Sequence, residues 1–166
     1  MKKKGSNFEF LKVTEEAVLN AGKIALEFEK KKIKTWYKSQ NQPVTEADIL
    51  INNYLQKFFK EETPNFGWLS EESVDDNSRY RKDYFWCLDP IDGTRSFING
   101  KPEYTISLAL MLKSTPIFGI IYNPKTREMF SAKKKFGAFC NKKKIYVENK
   151  EITKSKIALS SWEFKI

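Results

Sequence analysis

Asp89 and Asp92 stand three residues apart in Trp86-Cys87-Leu88-Asp89-Pro90-Ile91-Asp92-Gly93-Thr94. A proline lies between them, and a glycine and a threonine follow directly. Carboxylates spaced in this way can share or bridge oxygen-loving cations such as Mg2+. An apolar, aromatic run from Tyr84 to Leu88 leads in, and residues 94–99 can form a short helix closed by Gly100 at its C-terminal turn. The N–H groups of Gly93 and Thr94 would open that helix, a position that favours an anion. The same nine residues also read as a plain turn ending a strand, because Pro and Gly punctuate turns. On their own they leave both readings open.

Two upstream segments bear on the choice. Asp48 follows Thr45 by three residues, the spacing of a capping box with Asp in the usual place of Glu or Gln. Alone, Asp48 is explained as a helix cap, since first-turn acids complement the helix dipole. Glu71 and Glu72 follow the short apolar run Phe66 to Leu69 and, alone, read as an exposed charged loop. Together, the three segments supply several carboxylates and the hydroxyl of Thr94. Attack of water on a phosphate ester develops charge on the phosphoryl and leaving oxygens. Two or more Mg2+ ions stabilise that charge and activate the water. Several negative oxygens must hold the ions, and a base or hydroxyl must orient the nucleophile.

The elements that would position these groups follow from periodicity. Phe10, Val13, Ala17, Ala21, Ile24 and Phe28 recur at helical spacing, predicting a helix over residues 8–32. A polar connection spans 35–44. A second helix runs from the Thr45 cap to about Lys60, with Ala47, Ile51, Tyr54, Leu55 and Phe58 on its apolar face. Residues 66–69 and 84–88 read as strands around a polar loop at 75–82. Beyond Glu103 the period changes to two. Strands are expected over 104–112 and 117–122, with Thr115-Pro116 in the turn between them. Further strands are expected over 128–132, as a hairpin of 136–140 with 144–148, and over 156–161. Two helices followed by hairpin-connected strands define an α+β fold, a layered α/β sandwich with two N-terminal helices packed on a largely antiparallel sheet.

Composition narrows the chemistry. The chain of 166 residues is 40% apolar and 14% aromatic, enough for one domain with a real core and no interior boundary. It contains no histidine, which excludes Ser-His-Asp and Cys-His catalysis and any histidine-ligated metal. Its two cysteines, Cys87 and Cys140, form neither a disulfide framework nor a CxxC pair. No apolar segment follows the basic N-terminus, and the apolar run Ile106 to Leu112 is too short to span a bilayer, so a cytoplasmic protein without a membrane partner is expected. The net charge of +9 is uneven. Residues 46–92 hold eleven acids and five bases, a net of −6, leaving +15 elsewhere. A basic surface around an acidic pocket draws in a phosphorylated anion once cations neutralise the pocket. The lysine runs at 133–135 and 142–144 read as solvated hairpin tips, and no nucleic-acid motif is matched.

The chain resembles the inositol monophosphatase superfamily of Mg2+-dependent, lithium-sensitive phosphatases over nearly its whole length. The resemblance rests on Pro43-Val44-Thr45-Glu46-Ala47-Asp48, Leu69-Ser70-Glu71-Glu72-Ser73 and Trp86 through Phe97, in that order and spacing. Gly119 to Pro124 and Lys135 to Asn141 match the downstream strands. By position, the resemblance implies that Glu71 and Asp89 bind a first metal with the Ile91 carbonyl, and that Asp89 bridges to a second held by Asp92. Asp48 and Thr94 would activate the water, with Glu72 nearby. Gly93 and Thr94 would hold the phosphate, and Lys38 would sit at the pocket edge. It also implies two or three Mg2+ ions, with Mn2+ as a substitute and Li+ as inhibitor. The substrate would be a small phosphate ester: inositol monophosphate first, then a 3′(2′),5′-bisphosphate nucleotide or histidinol phosphate. Gln40 and Gln42 stand where relatives often carry an acid and a serine, and Ser70 where many carry glycine. Family members continue into a second α/β half whose W-D-x-A-A-G-type block completes the second metal site. Residues 1–166 contain no such block, so a single N-terminal domain without that half is expected, with a weakly active or inactive metal-binding or interaction fragment as the alternative to an active phosphatase. Apolar surface left uncovered near residues 156–166 is expected to drive self-association, as a homodimer or larger.

Overall fold

A computed structural model describes residues 7–31, 33–38, 42–148 and 151–154. Its elements are α1 (Asn7–Phe28), β1 (Thr35–Tyr37), β2 (Pro43–Thr45), α2 (Glu46–Glu62), β3 (Gly67–Ser70), α3 (Ser78–Arg81), β4 (Tyr84–Asp92) and α4 (Thr94–Ile98). Then come β5 (Thr105–Leu112), β6 (Thr115–Asn123), β7 (Glu128–Lys133), β8 (Gly137–Cys140), β9 (Lys143–Ile145) and a 3-10 turn at Ile152–Lys154. The expected strand over 156–161 lies outside the described residues.

The expected α+β architecture is observed. One seven-stranded sheet has the order β3-β4-β5-β6-β7-β8-β9, and α1 and α2 pack on one of its faces. Every neighbouring pair is antiparallel except β3 with β4, which run parallel in the register Gly67↔Phe85 to Ser70↔Leu88. Period-two alternation sends Trp86 and Leu88 of β4, Ile106, Leu108 and Leu110 of β5, and Phe118, Ile120 and Tyr122 of β6 into the core beneath the helices. Helix α1 answers with Ala17, Val18, Ala21 and Ala25. These small side chains bring it close to the sheet: a Cβ on Gly22 would stand 2.4 Å from the Tyr122 ring. From α2, Phe59 packs its ring 4.1 Å from that of Trp86. Truncating either ring to alanine would cost about 3–5 kcal/mol.

The opposite face of the sheet carries Leu69, Cys87, Ala109, Gly119, Ala132, Ala138 and Ile145 in one row across all seven strands. Beside it, Ile121 and Phe130 are 48% and 41% exposed. No helix is long and apolar enough to cross a membrane among the described residues.

Four local expectations are corrected. The polar connection over 35–44 holds a small antiparallel ribbon, β1 with β2, too short to show a pattern. The 75–82 loop contains the single turn α3. The Asp89-Pro90-Ile91-Asp92 stretch is not a turn beyond the strand. Strand β4 continues through it, and its pairing with β5 skips from Asp89↔Ser107 to Asp92↔Thr105 across a bulge. Proline lacks the N–H that a regular ladder needs, so a bulge is where a strand accommodates it. Likewise Thr115-Pro116 opens β6, with a register shift opposite, and the turn falls at Lys113-Ser114.

Candidate functional site

Topology brings the carboxylates together. Because β3 and β4 are parallel, their C-terminal ends lie at the same edge of the sheet. Ser70 pairs with Leu88, so the next residues along each chain, Glu71 and Asp89, leave the ladder side by side. Alternation places Asp89 on the same face of β4 as Cys87, away from the core, and the bulge then turns Asp92 into the open. A cleft of about 1190 Å³ lies there, lined by Lys38, Gln42, Pro43, Val44, Glu71, Glu72, Asp89, Asp92, Gly93 and Thr94 from the expected motifs.

Asp48 reaches this centre from behind. It is the third residue of α2 and only 2% exposed. Its Oδ2 accepts the Thr45 backbone N–H at 2.8 Å and the Thr45 hydroxyl at 2.5 Å, and its own N–H donates to Thr45 Oγ1. The capping box is complete and Asp48 does not line the cleft. Even so it is electrostatically coupled to both Glu72 and Asp89.

Burial pushes Asp89 up to about 7, with further upward push from the charges of Glu71, Asp92, Asp48 and Glu72. Burial likewise raises Asp48 to about 6; the hydrogen bonds from Thr45 pull against this, and the charge of Glu72 adds to it. Both acids are held in places that disfavour their ionised forms unless positive charge arrives. One cation is already at hand. Lys38, just after β1, contacts the Glu72 carboxylate and the Glu71 backbone carbonyl.

Ile91 is buried, and its carbonyl accepts the Thr94 hydroxyl at 2.9 Å. Gly93 precedes α4 with φ +93°, a left-handed conformation, and its Cα packs under Glu103: a Cβ there would stand 2.6 Å from the Glu103 carbonyl oxygen. Only glycine fits. Helix α4 is one short turn, held by Phe97, which is fully buried against Tyr104. It ends as a Schellman motif, with Gly100 N–H donating to the Phe97 carbonyl and Lys101 N–H to that of Ser96.

Of the residues singled out in the sequence, Lys38, Glu71, Glu72, Asp89, Asp92, Gly93 and Thr94 line one cleft, and Asp48 and Ile91 do not line it. Arg95, Ser96, Asn99, Lys101 and Glu103 also line it and were not read from the sequence. The signal was present but faint. Positions 95, 96 and 99 share one side of a single helical turn whose other side is anchored by Phe97.

The donor set fits a hard divalent cation. It consists of carboxylates, a backbone carbonyl and a hydroxyl, and Asp89 is pushed up first by burial and then by the charges of the neighbouring carboxylates. Among the described residues no three acidic or thiol side chains are already drawn together at metal-holding distance.

Fold and site together define a family. The family model described as "Inositol monophosphatase family" matches residues 6–165, and the chain belongs to that family. The chain is 32% identical over 161 residues to inositol monophosphatase 3 of Solanum lycopersicum, covering 95% of this chain and 60% of that protein. It is 32% identical over 137 residues to the 3′(2′),5′-bisphosphate nucleotidase CysQ of Haemophilus influenzae, covering 81% and 50%. The crystal structure of extragenic suppressor protein suhB from Bartonella henselae superposes with a TM-score of 0.78 at 27% identity, covering 86% of this chain and 55% of that one. The chain thus spans between half and three fifths of the length of these relatives.

Proposed function

We propose that the chain carries the catalytic centre of a Mg2+-dependent phosphate monoesterase. The observation that supports this most is the accumulation of negative charge around Asp89 from four other carboxylates drawn from three elements. Isolated buried charge is costly, and a site that gathers it is suited to cations. In this reading Glu71, Asp89, Asp92 and the Ile91 carbonyl would hold Mg2+. When bound, Mg2+ neutralises charge developing on the phosphoryl group and lowers the pKa of a water.

The chain's own groups then divide the work. Asp48, from behind the cleft wall, and Thr94 would together activate the attacking water: the Thr94 hydroxyl donates its proton to the Ile91 carbonyl, which leaves its oxygen to accept a hydrogen bond from the water. Glu72, fixed by Lys38, keeps the water's approach side polar. The N–H groups of Gly93 and Thr94 hold the phosphate. Inositol monophosphate is the first substrate class, with bisphosphate nucleotides and histidinol phosphate as rivals.

The test is phosphate release from a panel of these three esters. Release requires Mg2+, with Mn2+ substituting and Li+ inhibiting, and is lost in Asp89→Asn; full turnover in EDTA or in that variant refutes the reading. Calorimetry adds a second test: strong Mg2+ binding at the carboxylate centre supports the reading, and binding too weak to detect counts against it. Among the described residues, Ile121 and Phe130 are exposed on the sheet face away from the helices, which supports self-association.

A further inference from the structure

Tyr104 does not line the cleft but backs its Gly93–Thr94 turn. A Cβ on Gly93 would stand 3.2 Å from the Tyr104 Cα, and the Tyr104 ring meets that of Phe97 edge-on at 5.0 Å. Tyr104 is 1% exposed and its hydroxyl is buried. Beside that hydroxyl lies the carboxylate of Glu29, the residue after α1. Burial raises the pKa of the hydroxyl, and the neighbouring Glu29 raises it further. The contact is loose: among the described residues, neither the hydroxyl nor Glu29 Oε1 completes a well-formed hydrogen bond.

Glu29 is itself tied down. With only 11% of its side chain exposed, its Oε2 accepts from Lys125 Nζ at 2.6 Å, in the turn between β6 and β7. Asn123 links that turn to the approach of β5. Its Oδ1 accepts the N–H groups of Lys125 and Thr126, and its amide donates to the Pro102 carbonyl at 2.7 Å. The Tyr104 N–H donates to the same carbonyl at 3.0 Å. Packing alone at position 104 would be served by phenylalanine, which keeps the ring and buries no hydroxyl. A largely buried carboxylate is likewise a costly way to hold a helix end. Both groups point to a use beyond packing. We propose that Glu29 and Tyr104 are positioning residues: Glu29, held by Lys125, fixes the Tyr104 side chain, and Tyr104 fixes the Gly93–Thr94 turn for phosphate. This rests on the reading of that turn as the phosphate-binding part of a phosphatase site. Helix α4 is a single short turn and too small to fix its own start.

The experiment is calorimetry of inorganic phosphate binding in saturating Mg2+, with Mg2+ binding, thermal melts and ester turnover measured on the same chains. Tyr104→Phe is expected to weaken phosphate binding about fivefold, the worth of one net hydrogen bond, and to raise KM for the ester in step. Its melting temperature stays level or rises, and its Mg2+ affinity does not change. Glu29→Gln weakens phosphate by a similar factor, and the double variant by no more than either single one, because Glu29 acts through Tyr104. Unchanged phosphate affinity in Tyr104→Phe overturns the proposal. So does additive loss in the double variant, or a loss that comes with an equal drop in Mg2+ affinity or with a lower melt. If the Glu29 variant fails to fold, Tyr104→Phe alone decides; where the parent binds phosphate too weakly to titrate, KM decides in its place. Phosphate binding that depends on this brace but comes without ester turnover keeps the brace and defeats the phosphatase reading. Turnover with phosphate affinity indifferent to both changes does the reverse. A parent chain that neither binds phosphate nor releases it defeats both.

Discussion

Thr45 and Asp48 hold each other at both ends: Asp48 Oδ2 takes the Thr45 N–H at 2.8 Å and its hydroxyl at 2.5 Å, while Thr45 Oγ1 takes the Asp48 N–H. One acid thus caps a helix and faces a charged centre. Asp48→Asn keeps a carbonyl oxygen for the Thr45 N–H and removes the proton acceptor. It is expected to lower kcat by about 10²–10⁴, the usual worth of a general base. Its melting temperature should change far less than that of Thr45→Val, which loses the cap and about 1 kcal/mol with it. Near-normal kcat in Asp48→Asn would remove Asp48 from the mechanism.

Without metal, the chain is expected to lose stability as pH rises from about 4 to about 7. Asp89 titrates at about 7 and Asp48 at about 6 in the folded chain, against an ordinary value of 3.8. In that window the folded state holds more protons than the unfolded state, so raising the pH favours unfolding. Thermal melts in EDTA from pH 4 to 8 read this directly. Mg2+ should raise the midpoint most at the alkaline end, where both acids are charged.

Asp89→Asn should have effects of opposite sign. At pH 8 in EDTA it removes a disfavoured charge and raises the melting temperature. At pH 5, where Asp89 is already protonated, the gain shrinks. In either case Mg2+ no longer stabilises the protein as it does the unaltered chain. A variant that melts lower than the parent at pH 8 without metal would show that the carboxylates do not repel one another there.

Gly93→Ala meets both a left-handed backbone and the Glu103 carbonyl at 2.6 Å. The conformational cost alone is about 1–2 kcal/mol, and the contact adds to it. Reduced stability together with weaker phosphate inhibition is expected. Unchanged melting would mean that the backbone around Gly93 relaxes.

Self-association through the sheet face away from the helices predicts that Phe130→Lys, at a position 41% exposed, lowers the mass seen by light scattering while leaving the melt intact. A parent chain that scatters as a monomer at high concentration would defeat the idea.

The elements with local signals were legible in the sequence. The α2 start could be read because its cap lies within four residues, and the Schellman end of α4 because Gly100 marks it. Strands β5 and β6 could be read because one face of each is buried and the other is not. Pro90 was misread because proline and glycine signal turns locally, whereas its strand is set by pairing with β5 some fifteen residues further on. The three-residue strands β1 and β2 are too short to show a period. Asp48, Glu71 and Asp89 each had an ordinary structural explanation. What unites them is the parallel pairing of β3 and β4, a long-range fact with no local signature. Arg95 and Lys101 were passed over because one helical turn is too short for its amphipathicity to stand out.

That parallel pairing also has a kinetic side. The antiparallel pairs from β4 to β9 join neighbours in sequence and can zip up in succession, each closing a modest loop. Joining β3 to β4 in parallel requires a crossover through α3, and such closures are slow relative to hairpins. If β3 docks last, Glu71 arrives beside Asp89 only after the folding barrier has been crossed. Ions held between them would then slow unfolding while leaving the folding rate almost untouched. Bound Mg2+ would prolong the lifetime of the folded chain more than it hastens its formation.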